Sequence, residues 1–162
     1  MIEIAGEANG QVVIDLLPEV APLHVEQITS LAKAGAYDGV AFHRVIEGFM
    51  AQTGDVQFGR ADDYSTMAGR GGSELPDIQA EFSDINYERG VVGMARSRDP
   101  NSGNSQFFIM FAPAPGLNGQ YTVFGRVIEG MDVVDAIKRG SGAQNGAVAS
   151  DPDRMVSVTV QE

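Results

Sequence analysis

Most of the chain places apolar and polar residues at the two-residue period of β-strands. Residues 11–17 (QVVIDLL) lie between two turn signals and predict a strand whose one face carries Val12, Ile14 and Leu16. Other short stretches are rich in Val, Phe and Ile and are separated by Gly, Asn or Asp turns, which predicts strands at 42–46, 49–54, 91–96, 105–111, 121–127 and 155–160. A mainly β chain is therefore expected.

Two segments change to the helical period. Between Pro22 and Ala34 the apolar residues follow helical spacing, with a proline suited to the first turn and Gly35 suited to the end. A second helix is predicted over residues 130–138, followed by a basic residue and Gly140. Several strands and two helices indicate a closed or nearly closed antiparallel sheet whose ends the helices cover.

Length and composition limit the class of protein. With 162 residues and 43% apolar composition, residues 1–162 are expected to form one domain with its own core. The chain has no cysteine, and its two histidines, His24 and His43, lack the spacing of a metal motif, so we predict no metal and no cofactor. The start MIEIAGEANG predicts neither a secretory signal nor a membrane anchor, which favours a cytoplasmic location.

The charge balance is acidic, with 11 basic residues against 22 acidic ones and a formal net charge of −11. Because binding to DNA or RNA depends on clustered Lys and Arg, nucleic acid is not an expected partner. The acidity is typical of a protein kept soluble by its charge, and recognition of a basic partner is the alternative interpretation.

Residues 56–90 show no sustained period of either kind. Loops of this length are uncommon in compact domains and are usually functional or packed by their own side chains. The segment contains GRGGS at 69–73, which lacks the spacing of a phosphate-binding loop and is interpreted as a glycine-rich turn.

The stretch FHRVIEGFMAQTGD, residues 42–55, places polar side chains among apolar ones and can fold as a hairpin around Gly48. Loop length decides which residues face each other. A two-residue loop would set Arg44 opposite Ala51. A three-residue loop, with Gly48 in a left-handed conformation, would set Arg44 opposite Gln52, and we prefer this second register.

The preferred register groups a cation, a thioether and an amide on one face, from Arg44, Met50 and Gln52, with Phe49 at their flank. The hairpin alone leaves open the alternative that Arg44 forms a surface salt bridge with a carboxylate. A second polar and aromatic face is predicted in SQFFIM, residues 105–110, where Gln106 and Phe108 point the same way. The Gln106 amide is expected to make either an internal hydrogen bond, which the pattern favours slightly, or a ligand contact.

Three long segments carry more specific information. They are the hairpin stretch at 42–55, GVVGMARSRDPNSGNSQFFI at 90–109 and LNGQYTVFGRVIEGMDVVDAI at 117–137. Together, and in this order, they resemble the cyclophilins, the cyclosporin-binding class of peptidyl-prolyl cis–trans isomerases, over nearly the whole chain. The resemblance implies an eight-stranded antiparallel barrel capped by two helices and an enzyme that isomerises Xaa-Pro bonds to assist protein folding.

The resemblance also assigns roles residue by residue. Arg44 matches the catalytic arginine, and Phe49 and Gln52 belong to the same catalytic group. The substrate-binding positions comprise the proline pocket, groups that hold the substrate backbone and one ring at the pocket rim, and they are Met50, Arg96, Ser97, Gln106, Phe108, Leu117 and Tyr121.

Several positions depart from the family pattern. Arg96 replaces the usual asparagine of a segment that pairs with the peptide through its main chain, and one extra residue lies before Gln106. Tyr121 stands where many members have histidine. Gly116 takes the place of an aromatic residue that lines the cyclosporin site, so the resemblance implies only weak cyclosporin binding.

The expected function is therefore that of a monomeric prolyl isomerase acting on proline-containing peptides and on unfolded or flexible protein segments. A non-catalytic module that holds proline-containing segments of a partner is the alternative. Arg44 favours the enzyme, because a binding module needs no hydrogen-bond donor at a twisted peptide nitrogen. A small-molecule-binding β-barrel would need a wide apolar interior, whereas this sequence offers core-sized Val, Ile and Phe.

Overall fold

In the computed structural model, which describes residues 1–161, nine β-strands form one antiparallel sheet and two α-helices pack against it. The strands are β1 (Ile2–Ala5), β2 (Gly10–Leu16), β3 (Val40–Ala41), β4 (Arg44–Ile46), β5 (Met50–Thr53), β6 (Val91–Met94), β7 (Phe107–Met110), β8 (Val123–Glu129) and β9 (Arg154–Val158). The helices are α1 (Pro22–Lys33) and α2 (Met131–Asp135), and short 3₁₀ turns lie at Ala61–Asp63, Pro115–Leu117 and Gly142–Gln144.

The sheet curls so that its two edge strands, which are consecutive in the sequence, lie next to each other. The strand order is β3-β9-β1-β2-β8-β6-β7-β5-β4, and only Phe42 and His43 separate the edge strands β3 and β4. Between these two strands the backbone is hydrogen-bonded to the irregular segment 148–153. The Phe42 N–H donates to the Asp153 carbonyl at 2.8 Å, and the Val148 N–H donates to the His43 carbonyl at 3.0 Å. The barrel is therefore open along a line where no strand ladder crosses.

The expected mainly β fold with an antiparallel sheet and two helices is confirmed. It has nine strands where eight were expected. The two-residue strand β3 lies before the segment predicted as a strand at 42–46, and only residues 44–46 of that segment form a strand, β4. Strand β1 was missed, although Ile2 and Ile4 are buried and alternate with the exposed Glu3.

Helix α1 begins at the predicted residue and ends one residue early. Its first N–H groups have no partner within the helix, and the Glu81 carboxylate accepts those of Leu23 and His24 at 3.2 Å and 2.9 Å. The helix stops at Gly35, whose φ of +74° suits a residue without a Cβ. A carboxylate from the 56–90 segment thus fixes the start of α1.

Helix α2 is shorter than the predicted 130–138, which is a correction. It covers five residues, because the Lys138 N–H donates to the buried Asp153 carboxylate at 2.9 Å instead of continuing the helix. The Arg139 guanidinium then donates to the carbonyls of Asp135 and Ile137 at 2.6 Å and 2.7 Å. The basic residue after the helix therefore serves as its C-terminal cap.

The buried apolar residues form two clusters. The larger fills the barrel, while the smaller lies on the outer side of β5, β6 and β7 and contains Met50, Tyr87, Val91, Phe108, Met110 and Val123. Three partly buried residues, Phe49, Leu117 and Tyr121, pack on this smaller cluster. The sheet therefore has an apolar patch on one face outside the barrel interior.

Candidate active site

The hairpin of β4 and β5 places the polar group of the site. Arg44 pairs with Gln52, and Ile46 pairs with Met50, which is the register predicted for a three-residue loop. Gly48 has the expected left-handed conformation, with φ of +73°. The prediction that Arg44, Met50 and Gln52 share one face is therefore confirmed.

A pocket of about 190 Å³ opens on this face. Its walls contain eight of the ten residues assigned from sequence, namely Arg44, Phe49, Met50, Gln52, Arg96, Phe108, Leu117 and Tyr121. Cross-strand pairing sets its floor, because Met50 faces Met110 and Gln52 faces Phe108 across β5 and β7. The remaining two, Ser97 and Gln106, line an adjoining pocket of about 490 Å³ that shares Gln52, Ala95 and Arg96 with the first.

Arg44 is half-buried at the polar side of the pocket and has no carboxylate partner among residues 1–161. Its Nη1 donates to Gln52 Oε1 at 3.0 Å, while its Nε and Nη2 donate to the carbonyl and the side-chain oxygen of Asn145 at 3.0 Å and 3.2 Å. Burial is the main cause that lowers the pKa of Arg44 from its ordinary value. A guanidinium has five N–H donors, so two remain for a ligand.

A chain of hydrogen bonds runs from Arg44 into the barrel wall. The Gln52 amide nitrogen donates to Gln106 Oε1 at 3.0 Å, and the Gln106 nitrogen donates to the carbonyls of Gly69 and Gly71 at 2.9 Å and 2.8 Å. The internal hydrogen bond predicted for Gln106 is therefore confirmed. Of the glycine-rich turn predicted at 69–73, Gly69 lies in a hydrogen-bonded turn and residues 71–73 are irregular; both glycines contact the site through Gln106.

The buried Asp55 holds that turn in place. One carboxylate oxygen accepts the N–H groups of Gly69 and Gly71 at 2.8 Å and 3.0 Å. The other accepts those of Gln57 and Phe58 at 3.0 Å and 2.9 Å. Because a carboxylate that accepts several N–H groups is strongly bound to them, the turn and the hairpin form one unit.

At the opposite rim, Tyr121 lies between an aromatic edge and a cation. Its ring centroid is 5.9 Å from that of Phe108 at 84°, and the Arg96 Cζ lies 4.4 Å from the Tyr121 centroid. Arg96 also donates to the Gln120 carbonyl at 3.0 Å. The Ser97 N–H donates to the Ser102 hydroxyl at 2.8 Å, and the Ser97 carbonyl accepts from Arg96, so main-chain contact between Ser97 and a peptide stays a prediction.

His43 lies directly behind Arg44 and is only 5% exposed. Neither ring nitrogen has a hydrogen-bond partner among residues 1–161. Burial, the largest cause, lowers the pKa of His43 to about 4, against a smaller opposing effect of the Asp55 charge. The ring is therefore neutral at pH 7, and it is one of the buried residues behind the site.

Sequence reasoning missed Asn145, the second partner of Arg44, and the anchoring role of Asp55. Asn145 has a left-handed backbone with φ of +55° and precedes Gly146, so the Asn-Gly pair indicated a turn. Nothing local in the sequence placed that turn beside a residue 101 positions away.

The family comparison decides the identity. Residues 1–160 match the family described as cyclophilin type peptidyl-prolyl cis-trans isomerase/CLD. This chain belongs to that family. It is a peptidyl-prolyl cis–trans isomerase.

Individual relatives and solved structures support the assignment. A probable peptidyl-prolyl cis-trans isomerase of Brucella suis is 59% identical over 155 residues, which cover 94% of this chain and 79% of the relative. The crystal structure of cyclophilin AquaCyp293 from Hirschia baltica has a TM-score of 0.75 at 29% identity, covering 95% of this chain and 71% of that one. A Cryptosporidium parvum cyclophilin structure, determined in the presence of the dipeptide Ala-Pro, has a TM-score of 0.80 at 26% identity and covers 98% of both chains.

Within residues 1–161, no three His, Asp or Glu side chains are grouped so as to hold a metal ion. In the same range, no helix has the length and apolar character needed to cross a membrane.

Acid should destabilise this cyclophilin through His43. The ring has a pKa of about 4 in the folded state and about 6.5 in the unfolded chain, so the unfolded state binds the proton first. Above pH 6.5 His43 is neutral in both states and costs the folded state nothing. The free energy of unfolding should fall by about 3 kcal/mol as the pH falls from 6.5 to 4. NMR titration of the ring measures the pKa, and urea unfolding at each pH measures the stability.

His43→Phe, which keeps an aromatic ring without a titrating group, should lose this share of the pH dependence. The ring titration of the unchanged protein stands even if that variant folds poorly. A His43 pKa near 6.5 in the folded protein would contradict a buried ring without partners.

Proposed function

We propose that Arg44 is the hydrogen-bond donor that makes this chain an isomerase of Xaa-Pro bonds in proline-containing peptides and in unfolded or flexible protein segments. The observation that carries the proposal is a guanidinium on the wall of a pocket that is lined in part by apolar side chains. This guanidinium is held by Gln52 and Asn145 and has no carboxylate partner among residues 1–161. A cation held in this way keeps N–H donors available to a ligand.

The chemistry requires such a donor and no covalent step. Rotation about a peptide bond costs ~18–20 kcal/mol because amide resonance is lost at the twisted geometry. In the twisted state the prolyl nitrogen becomes pyramidal and regains a lone pair. A guanidinium placed beside this nitrogen binds the twisted state better than the planar one, which lowers the barrier.

The apolar side of the pocket complements the donor. Phe49, Met50, Phe108 and Leu117 line the same pocket as the cation and suit the pyrrolidine ring of proline. A ring held there stays fixed and dry while the preceding carbonyl swings. Lowering the barrier by ~5–6 kcal/mol would shorten the half-life about 10⁴-fold, and a few preorganised hydrogen bonds can supply this much.

The alternative of a non-catalytic binding module rests on the same pocket. It would need the apolar wall and the backbone-holding amides of Gln52 and Gln106. It would not need Arg44 to be held by three hydrogen bonds that fix its direction. That fixed direction favours catalysis.

Replacing Arg44 by Ala should lower kcat/KM for a short Xaa-Pro peptide about 10²–10³-fold, the effect of losing one donor to a developing lone pair. Exchange NMR of the cis and trans peptide signals measures the rate without a coupled assay. Arg44→Lys keeps the charge but not the planar group, and it should fall between the two. Arg126→Ala, a change at an exposed arginine of β8, is the matched control and should leave the rate unchanged.

Equal rates for the unchanged protein and Arg44→Ala would exclude Arg44 as the donor. If the unchanged protein gave only the uncatalysed rate, the non-catalytic module would be the better description.

Weak cyclosporin binding is also proposed, from the glycine at position 116. Gly116 is exposed at the 3₁₀ turn beside Leu117, and a Cβ added there would meet nothing within 4 Å. An aromatic wall is therefore missing where the family resemblance places one, while the space for it is open.

Gly116→Trp should raise cyclosporin affinity about tenfold, because a buried aromatic face contributes roughly 1.4 kcal/mol to such a contact. Titration calorimetry measures the dissociation constant. Gly142→Trp is the matched control, since Gly142 also has open space around its Cβ position and lies outside the pocket. Unchanged affinity in Gly116→Trp, or an equal gain in Gly142→Trp, would contradict the proposal.

We further propose that residues 1–162 act as one isomerase domain, which the family match over residues 1–160 supports. The cytoplasmic location, the monomeric state and the lack of nucleic-acid binding stay predictions from the sequence.

A further inference from the structure

A groove of about 670 Å³ lies between α1 and the segment 75–79, outside the pocket beside Arg44. Two large aliphatic side chains are exposed in its wall, Leu23 at 40% and Leu75 at 39%. Buried Ile78 also lines the groove. Exposed leucines on both sides of one groove form an apolar surface that a ligand can cover.

The charges in the groove wall are all negative. Glu26 and Asp77 line it, both are exposed, and no Lys or Arg belongs to the lining within residues 1–161. Asp77 accepts one hydrogen bond, from the Asn104 side chain at 2.9 Å. The Glu26 carboxylate makes no hydrogen bond or ion pair within the described part of the chain.

The groove is rigidly built. Gln27 of α1 donates to the Pro76 carbonyl and to the Asn104 carbonyl, both at 3.0 Å. The Ile78 N–H donates to the Gly103 carbonyl at 2.7 Å. Both walls are therefore tied to the core, and a ligand would not have to order them on binding.

The groove is also linked to the site through shared lining residues. The pocket beside Arg44 shares Gln52, Ala95 and Arg96 with the adjoining pocket. That adjoining pocket shares Asp77 with the groove. A peptide chain whose proline occupies the first pocket can therefore extend through the second into the groove.

We infer that the groove between α1 and the segment 75–79 binds a basic and aliphatic stretch of the same client chain whose proline occupies the pocket beside Arg44. This inference rests on the proposed function and names the class of client that the enzyme prefers. The leucines select aliphatic side chains, and Glu26 and Asp77 select Lys or Arg.

The adjoining pocket, which has residues in common with both the pocket beside Arg44 and the groove, does not share the groove's preference for Lys or Arg. Arg70 and Arg96 line that pocket, and Arg70 is exposed, with a guanidinium that makes no hydrogen bond or ion pair among residues 1–161. The two arginines outnumber the single carboxylate of Asp77 in that pocket, so a Lys or Arg of the client would be repelled there. In the groove, Glu26 and Asp77 would attract it. The preferred client therefore has its basic residues several positions away from proline and a neutral or acidic residue between.

The test compares a short Ala-Pro peptide with peptides of about ten residues, which reach roughly 33 Å when extended. The long peptides carry Leu and Lys, or Leu and Glu, at one end, and each is made with that end before or after the proline. For one of the two directions, the Leu-Lys peptide should have kcat/KM about tenfold above the short peptide, through a lower KM. The advantage should shrink at high salt, because exposed charges are screened.

Two variants in the groove test its residues. Leu75→Ser and Glu26→Gln should each remove most of the Leu-Lys advantage and leave the short peptide unchanged. Their matched controls change an exposed aliphatic and an exposed acid elsewhere, Val156→Ser and Glu19→Gln, and should keep the advantage. Methyl signals of Leu23 and Leu75 should shift when the Leu-Lys peptide is added.

Equal kcat/KM for the long and short peptides, or an advantage that survives in both groove variants, would overturn the inference. So would an equal gain for the Leu-Glu peptide. If the unchanged protein fails to accelerate even the short peptide, the proposed function fails instead. The methyl shifts then still decide whether the groove binds the basic stretch.

Discussion

The orientation of Arg44 depends on a chain of hydrogen bonds whose last acceptors are two backbone carbonyls. The carbonyls of Gly69 and Gly71 can only accept, so the Gln106 amide must turn its nitrogen to them and its oxygen to Gln52. Gln52 must then donate to Gln106 and present its own oxygen to Arg44. Each amide has one orientation that satisfies its neighbours, and the guanidinium receives its direction from the last of them.

The residues around the two amides and the guanidinium stabilise this orientation. Asp55 holds the glycine turn through backbone N–H groups, and the buried His43 and the apolar cluster under Phe108 keep water from the back of the site. Hydrogen bonds in such a setting are stronger than in water, and a flipped amide would leave buried groups unpaired. The guanidinium that we propose as the donor is thus held in place before the substrate arrives, which is the condition for electrostatic catalysis.

The features that local backbone geometry determines could be predicted from the sequence, whereas contacts between segments distant in the sequence could not. Gly48 and the length of the hairpin loop determine the register of Arg44 and Gln52, and the two-residue period puts Gln106 and Phe108 on one face. In contrast, Asn145 reaches Arg44 across 101 positions, and Asp153 shortens α2 by accepting an N–H that the helix pattern assigned to the helix. The family resemblance identified the pocket residues but could not show that the glycine turn sets the polarity of the amides. That polarity appears only when the 56–90 segment is seen packed against β7.

Neutron diffraction from a deuterium-exchanged crystal measures this polarity directly, because it locates the hydrogen atoms that distinguish amide nitrogen from oxygen. We expect deuterium between Gln106 and both glycine carbonyls, deuterium on Gln52 directed at Gln106, and deuterium on Arg44 directed at Gln52. A Gln52 amide whose deuterium atoms point toward Arg44 would contradict the account, since the guanidinium would then lack the acceptor that orients it.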